Sequence, residues 1–261
     1  MRAFNNQEIL EIALRQSAID AGCRSSDFLC PENVVVISRT DPAARKYLEL
    51  PFSCQLISYG NNIVASVSEE YQSMVSNYIS RFTAAHCFET PNFHVLNDVL
   101  TEKGQRLCHM AEYFLPDLRR LTALDCPYPL RLLGQADFAP LYTEAWSNAL
   151  CEKRKELDVL GLGAYDGDTL AGFAACSADC ETMWQIGVDV LPEYRRQGIA
   201  SALTSRLALE ILRRGKVPFY CAAWSNLRSV RNAIASGFRP AWVELTAKSI
   251  AAVEEMNGMN S

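Results

Sequence analysis

Between residues 184 and 214 the apolar side chains change their period. Ile186, Val188 and Val190 alternate with Gln185, Gly187 and Asp189, the two-residue repeat of a strand with one face turned inward. Pro192 stops it, having no N–H to give a ladder. Beyond Gly198, residues Ile199, Leu203, Leu207 and Ile211 recur four apart, which is helical spacing. A strand therefore feeds a short loop, and the loop feeds a helix to Arg214.

The same reading extends along the chain. In the first half, Asn6 is placed to cap a helix over 7–21, with Ile9, Ile12, Ala13 and Ile19 inward. Residues 34–37 read as a buried strand, and Asp41-Pro42 as a turn opening a brief helix to Leu48. Strands over 52–59 and 62–67 flank Gly60-Asn61, a hairpin turn. Ser68 is placed to cap a helix to Phe82, a second helix runs from Pro91 to Glu102, and 108–115 reads as strand or helix. Asp125-Cys126-Pro127-Tyr128-Pro129 makes an extended connector and the best domain boundary.

After it come a strand at 131–133 and a helix over 137–150 carrying Phe138, Leu141, Tyr142, Ala145, Trp146 and Ala149. A hairpin of 158–165 and 169–177 turns across Asp166-Gly167-Asp168. Downstream of the central strand, loop and helix are a strand over 219–223, a helix over 226–236 and a strand over 239–248. Residues 251–261 read as a frayed tail. Strands alternating with crossover helices imply an α/β sheet, parallel in part.

Composition narrows the class. Of 261 residues 49% are apolar and 21% charged, a globular balance allowing one large or two ordinary domains. A net charge of −5 disfavours general nucleic-acid binding. No run is long enough to span a membrane and the N-terminus does not read as a secretory signal, so a cytoplasmic, membrane-free protein is expected. Ten scattered cysteines without a Cys-x-x-Cys read as reduced, buried thiols. His86-Cys87 and Cys108-His109 match no zinc spacing, so no metal is expected.

The loop carries candidate chemistry. Arg195-Arg196-Gln197-Gly198-Ile199-Ala200 has the form Arg-x-x-Gly-x-Ala at the start of a helix. The first helical N–H groups lack intrahelical partners, and the helix dipole is positive there. Gly198 lets backbone close on a phosphate, and the arginines can bind one bidentately.

This segment, with its lead-in Val190-Leu191-Pro192-Glu193-Tyr194-Arg195, resembles the acyl-CoA-binding motif of the GCN5-related N-acetyltransferase (GNAT) superfamily. A second stretch, Asn226-Leu227-Arg228-Ser229 with Gly237-Phe238 downstream, is similar to the family's Asn-x-x-Ala/Ser helix start. The resemblance covers roughly residues 128–249. It implies a GNAT-type mixed, partly splayed α/β (α+β) sheet flanked by helices over residues 127–250. Before it would stand a smaller α/β domain over 1–126, either a degenerate copy of the fold or a scaffold for the acceptor pocket, and after it a tail over 251–261.

The resemblance further implies that acetyl-CoA is held by Val188, Val190, Arg195, Arg196, Gln197, Gly198, Ile199 and Ala200. Asn226 and Ser229 would line the gap beside the central strand, though Asn226 reads equally as a helix cap. The implied reaction is acetyl transfer to a primary amine of a small molecule or protein, by direct attack in a ternary complex. The family's usual Glu and Tyr positions hold Trp184 and Ala233 here. Gln185, Asp189 and Asp179 are the substitute catalytic candidates, beside Glu181 and Tyr220; for the carboxylates a solvated turn or edge role is the simpler reading. Those departures keep open an acyl-CoA-binding sensor or interaction module with little catalysis. An aminoacyl-tRNA-dependent transferase is disfavoured by the net charge and the intact loop. Oligomeric state is open, a homodimer included.

Overall fold

The computed structural model describes residues 4–258 of the chain. In order, the elements are helix α1 (Asn6–Ala21), strands β1 (Val34–Ile37), β2 (Cys54–Ser58) and β3 (Val64–Val67), helices α2 (Gln72–Arg81) and α3 (Thr90–Glu102), and strand β4 (Gln105–Pro116). Then follow β5 (Leu130–Gly134), β6 (Asp158–Asp166), β7 (Thr169–Ser177), β8 (Met183–Val190), α4 (Ile199–Arg213), β9 (Val217–Ala223), α5 (Leu227–Ala235), β10 (Phe238–Ser249) and α6 (Ile250–Gly258). The chain forms a mixed α/β structure with a mostly antiparallel sheet flanked by helices. No helix among the described residues is long and apolar enough to cross a membrane.

Two compact units divide the chain: Met1–Ala13 with Tyr113–Pro240, and Leu14–Glu112 with Ala241–Ser261. The division does not fall at Asp125–Pro129. It cuts through α1, β4 and β10, because the last strand supplies residues to the core built by the first half. In that unit β1 pairs with β3 in parallel, β3 with β2 antiparallel, and β2 with β10 antiparallel at Val243↔Ser58 through Thr246↔Gln55. Leu245 and Ala247 pack with Leu56, Ile63, Val75 and Ile79.

In the other unit the strands run in the order β4-β9-β8-β7-β6-β5. Strand β7 shows how its layers arise. Ala174 and Cys176 face the cluster in which α4 buries Ile199, Leu203, Leu207 and Ile211. The alternate residues Phe173 and Ala175 face Phe138, Trp146, Ala149 and Leu150 on the opposite side. Strands β8 and β9 pair in parallel only from Met183↔Val217 to Gln185↔Phe219. Beyond that point β8 keeps its partner β7 as far as Val190, while β9 runs on to Ala223. The sheet opens between them.

Several expected elements are corrected. Residues 137–150 form single turns (Gln135–Asp137, Ala139–Leu141, Glu144–Trp146), not one helix. Pro140 gives no N–H, and Thr143 is extended at φ −135°, ψ 165°. The cap of α1 is Asn5, not Asn6: Asn5 Oδ1 accepts from Glu8 N at 2.9 Å, and Glu8 Oε2 accepts from Asn5 N at 3.0 Å. Ser68 makes no side-chain cap bond and precedes a single turn, Glu69–Tyr71. Residues 41–48 hold turns, with Asp41 Oδ1 accepting from Ala43 N at 2.8 Å instead of starting a helix. Residues 105–116 are strand, and 250–258 are helical where a frayed tail was expected; 259–261 lie outside the described residues. All ten cysteines are free thiols, but only Cys54, Cys87, Cys176 and Cys180 are buried. Burial pushes the Cys54 thiol up to about 12.

Candidate active site

The site grows from the turn after β8. Leu191 N donates to Ala171 O at 3.0 Å, and Pro192–Tyr194 make one tight turn. Arg195 Nε donates back to Val190 O at 3.1 Å. Tyr194 OH donates to Asp166 Oδ2 at 3.1 Å, and Tyr128 OH to Gln197 Oε1 at the same distance. The Tyr128 and Tyr194 rings meet edge to face, 5.5 Å apart. The loop is thus tied at four places before α4 begins.

Two left-handed residues then turn the chain into the helix: Arg196 at φ 64° and Gly198 at φ 79°. Gly198 is the cap of α4, so no side chain satisfies the first helical amides. A Cβ at Gly198 would meet nothing within 4 Å. The space in front of this turn is open.

That space is a cavity of about 460 Å³. Of the residues expected to bind a cofactor, Val190, Arg195, Arg196, Gly198, Ile199 and Ala200 line it together. Val188 packs instead against the core cluster beneath α4, and Gln197 is held by Tyr128. Asn226 and Ser229 do not line the cavity: Asn226 caps α5, accepting from Ser229 N at 3.2 Å. Arg228, Arg231 and Asn232 line it from α5. The signal for them was the Asn226 cap itself, since a helix starting there puts positions 228, 231 and 232 on one side.

Asn232 joins the two helices. Its Oδ1 accepts from Ser201 Oγ at 3.0 Å, and its Nδ2 donates to Thr204 Oγ1 at 3.0 Å. Tyr220 is buried on β9; burial pushes its phenol above the ordinary value, and the neighbouring Ser229 and Asn232 side chains oppose the shift.

The catalytic candidates fall in three places. Gln185 stands at the fork where β8 and β9 part, its Nε2 donating to Cys221 Sγ at 3.0 Å. Asp189 lies on the same face of β8 as Gln185, away from the side that packs against α4. Its Oδ2 accepts from Asn148 N and Ala149 N, each at 2.9 Å, and its Oδ1 from Asn148 Nδ2 at 2.6 Å. Asp179 is buried before β8 and ion-paired with Arg154 at 2.8 Å. Trp184 is partly buried against the core, and Ala233 is fully buried. No group of three or more His, Cys, Asp or Glu side chains among the described residues is placed to hold a metal ion.

Comparison with known proteins gives a family match and likenesses to solved structures. The family model for GNAT acetyltransferases matches residues 57–241. A GCN5-related N-acetyltransferase from Sphaerobacter thermophilus superposes over 95% of each chain at TM-score 0.50 and 15% identity, a likeness of fold. A GNAT-family structure from Novosphingobium aromaticivorans is 22% identical over 55% of this chain and 66% of its own, at TM-score 0.45. The yncA structure from Salmonella typhimurium, solved with its cofactor acetyl-CoA, is 20% identical over 48% of this chain and 95% of its own, at TM-score 0.34. The chain thus spans 66% of the length of the Novosphingobium protein. No curated protein matches it significantly.

Proposed function

Because the chain belongs to the GNAT acetyltransferase family, we propose that it transfers an acetyl group from acetyl-CoA to a primary amine of a small molecule or a protein. The observation that carries this reading is the cavity before α4, where uncapped helical amides and four arginines face one open space. Its residues fit the pyrophosphate of coenzyme A: Gly198 leaves room for the anion, and Arg195 and Arg196 supply charge. Val190 lines the same cavity, and the edge of β8 past Gln185 has no ladder to β9, so the pantetheine arm fits beside Val188 and Val190.

Bound acetyl-CoA supplies the activated acetyl thioester, and the chain's own residues place the acceptor. Direct attack in a ternary complex then depends on orientation more than on a strong base. Gln185, at the fork, holds the amine or a water that takes its proton. Asp189 is a positioning residue, fixing Asn148 and Ala149 across β8. Asp179 keeps its carboxylate for Arg154 and supports the approach to β8. Asn226 and Ser229 act through α5 by setting its first turn.

A sensor or interaction module that binds acyl-CoA without turnover is the second reading. It is favoured by the engagement of Asp179 and Asp189 with structural partners, and by Trp184 and Ala233 at the family's usual acid–base positions. Thiol release from acetyl-CoA, followed across a panel of small amines, amino acids and peptides, separates the two. Release with one class of amine establishes the transferase. Saturable binding with no release above hydrolysis supports the sensor.

A further inference from the structure

The positive charge around the cavity exceeds what a pyrophosphate requires. A pyrophosphate diester is a doubly charged anion, and Arg195, Arg196 and the amides opening α4 already face the space it would occupy. Arg228 and Arg231 line the same space from α5. They are three residues apart, so both project from one side of that helix. Their helix is locked to α4 through Asn232, Ser201 and Thr204.

Elsewhere in this unit Arg119, Arg154, Arg206, Arg213 and Arg214 each pair with a carboxylate, while Arg120, Arg131 and Arg239 are in no ion pair among the described residues but do not line the cavity. Among the described residues, Arg195, Arg196, Arg228 and Arg231 are in no ion pair. Four uncompensated guanidinium groups around one cavity, in a chain of net charge −5, leave room for a second anionic group. Small side chains, those of Ala200, Ser201 and Ala235, line the same space.

We propose that Arg228 and Arg231 bind the phosphomonoester on the ribose 3′ oxygen of coenzyme A, and so select it over the 3′-dephospho form. The inference rests on the coenzyme A reading of the loop. A phosphomonoester carries about −1.5 to −2 charges at neutral pH and offers three acceptor oxygens. Two guanidinium forks complement it better than lysines would.

The test is calorimetric titration of the full chain with acetyl-CoA and with 3′-dephospho-acetyl-CoA, repeated on Arg228→Ala/Arg231→Ala. Thermal melting checks that the variant is folded, and both positions are exposed. The wild type is expected to prefer acetyl-CoA by about tenfold or more, and the variant's preference to fall to about twofold or less. Raising the salt should erode the wild-type preference. Equal affinities in the wild type, or a preference unchanged in the variant, overturn the assignment of these arginines while leaving the loop reading intact. Binding of neither compound by the wild type overturns the loop reading and this inference with it.

Discussion

Asp189 grips Asn148 twice, at its backbone N–H (2.9 Å) and at its side-chain amide (2.6 Å). The Ala149 N–H adds a third bond to the same carboxylate. This fixes the chain as it crosses β8 and gives a way to tell positioning from proton transfer. Asp189→Ala leaves two backbone donors without their acceptor and should cost about 1–3 kcal/mol in denaturant unfolding. Asp189→Asn can rebuild the network by rotating two amides. It should lose less than about 1 kcal/mol and keep turnover within about fivefold, whereas loss of a general base would cost about 10²–10⁴-fold.

Gly187 explains why the crossing is so close. A Cβ there would lie 1.8 Å from Asn148 O, a backbone atom that cannot rotate away. Gly187→Ala should therefore destabilise the protein by about 3 kcal/mol or more, read from the urea midpoint.

Acid should weaken one tie near the N-terminus. Asn6 Nδ2 donates to Asp117 Oδ1 at 2.7 Å, and Arg119 adds side-chain and backbone bonds. Together, Asn6 first, they hold the Asp117 carboxyl at about 2. The folded value is below the unfolded one, so the unfolded state takes up the proton first as pH falls. The stabilisation is full above about pH 4 and is lost as pH drops towards 2. Asn6→Ala should raise the Asp117 carboxyl in an NMR titration. The stability gap between wild type and variant should narrow between pH 5 and pH 2.

Arg45 is buried between two carboxylates, ion-paired to Asp20 and to Glu244, which also accepts from Trp242 Nε1 at 2.7 Å. Removing the cation would leave buried anions facing each other. Arg45→Ala should cost about 3–5 kcal/mol. Lys155→Ala, which breaks the exposed pair with Glu152, should cost under about 1 kcal/mol. Equal losses in the two variants would contradict this account of the core.

The region from β8 to α4 was legible because local signals agree there. The two-residue period, Pro192 and the four-residue apolar spacing all specify the same turn. Residues 137–150 misled for a physical reason. Phe138, Trp146, Ala149 and Leu150 are buried as a helix would bury them, yet Pro140 and extended Thr143 break the backbone into turns. Burial period reports which side chains face a core and does not specify the hydrogen bonds between them. The unit division was hidden because β10 takes residues to a core made by strands about 190 positions earlier, and no local pattern encodes that pairing. Arg231 and Asn232 were missed because the family-like motif stops at Ser229, whereas the cavity follows the helix one turn further.

The central claim is that the turn at Gly198 binds acetyl-CoA, and calorimetric titration of the wild type beside Gly198→Leu tests it most directly. A side chain there meets open space at φ 79°, so the fold should lose only about 1–2 kcal/mol from backbone strain. The account predicts saturable binding to the wild type, and binding at least about a hundredfold weaker, or lost, in a variant that still melts cooperatively. Equal affinity in the two proteins, or none in the wild type, would contradict it.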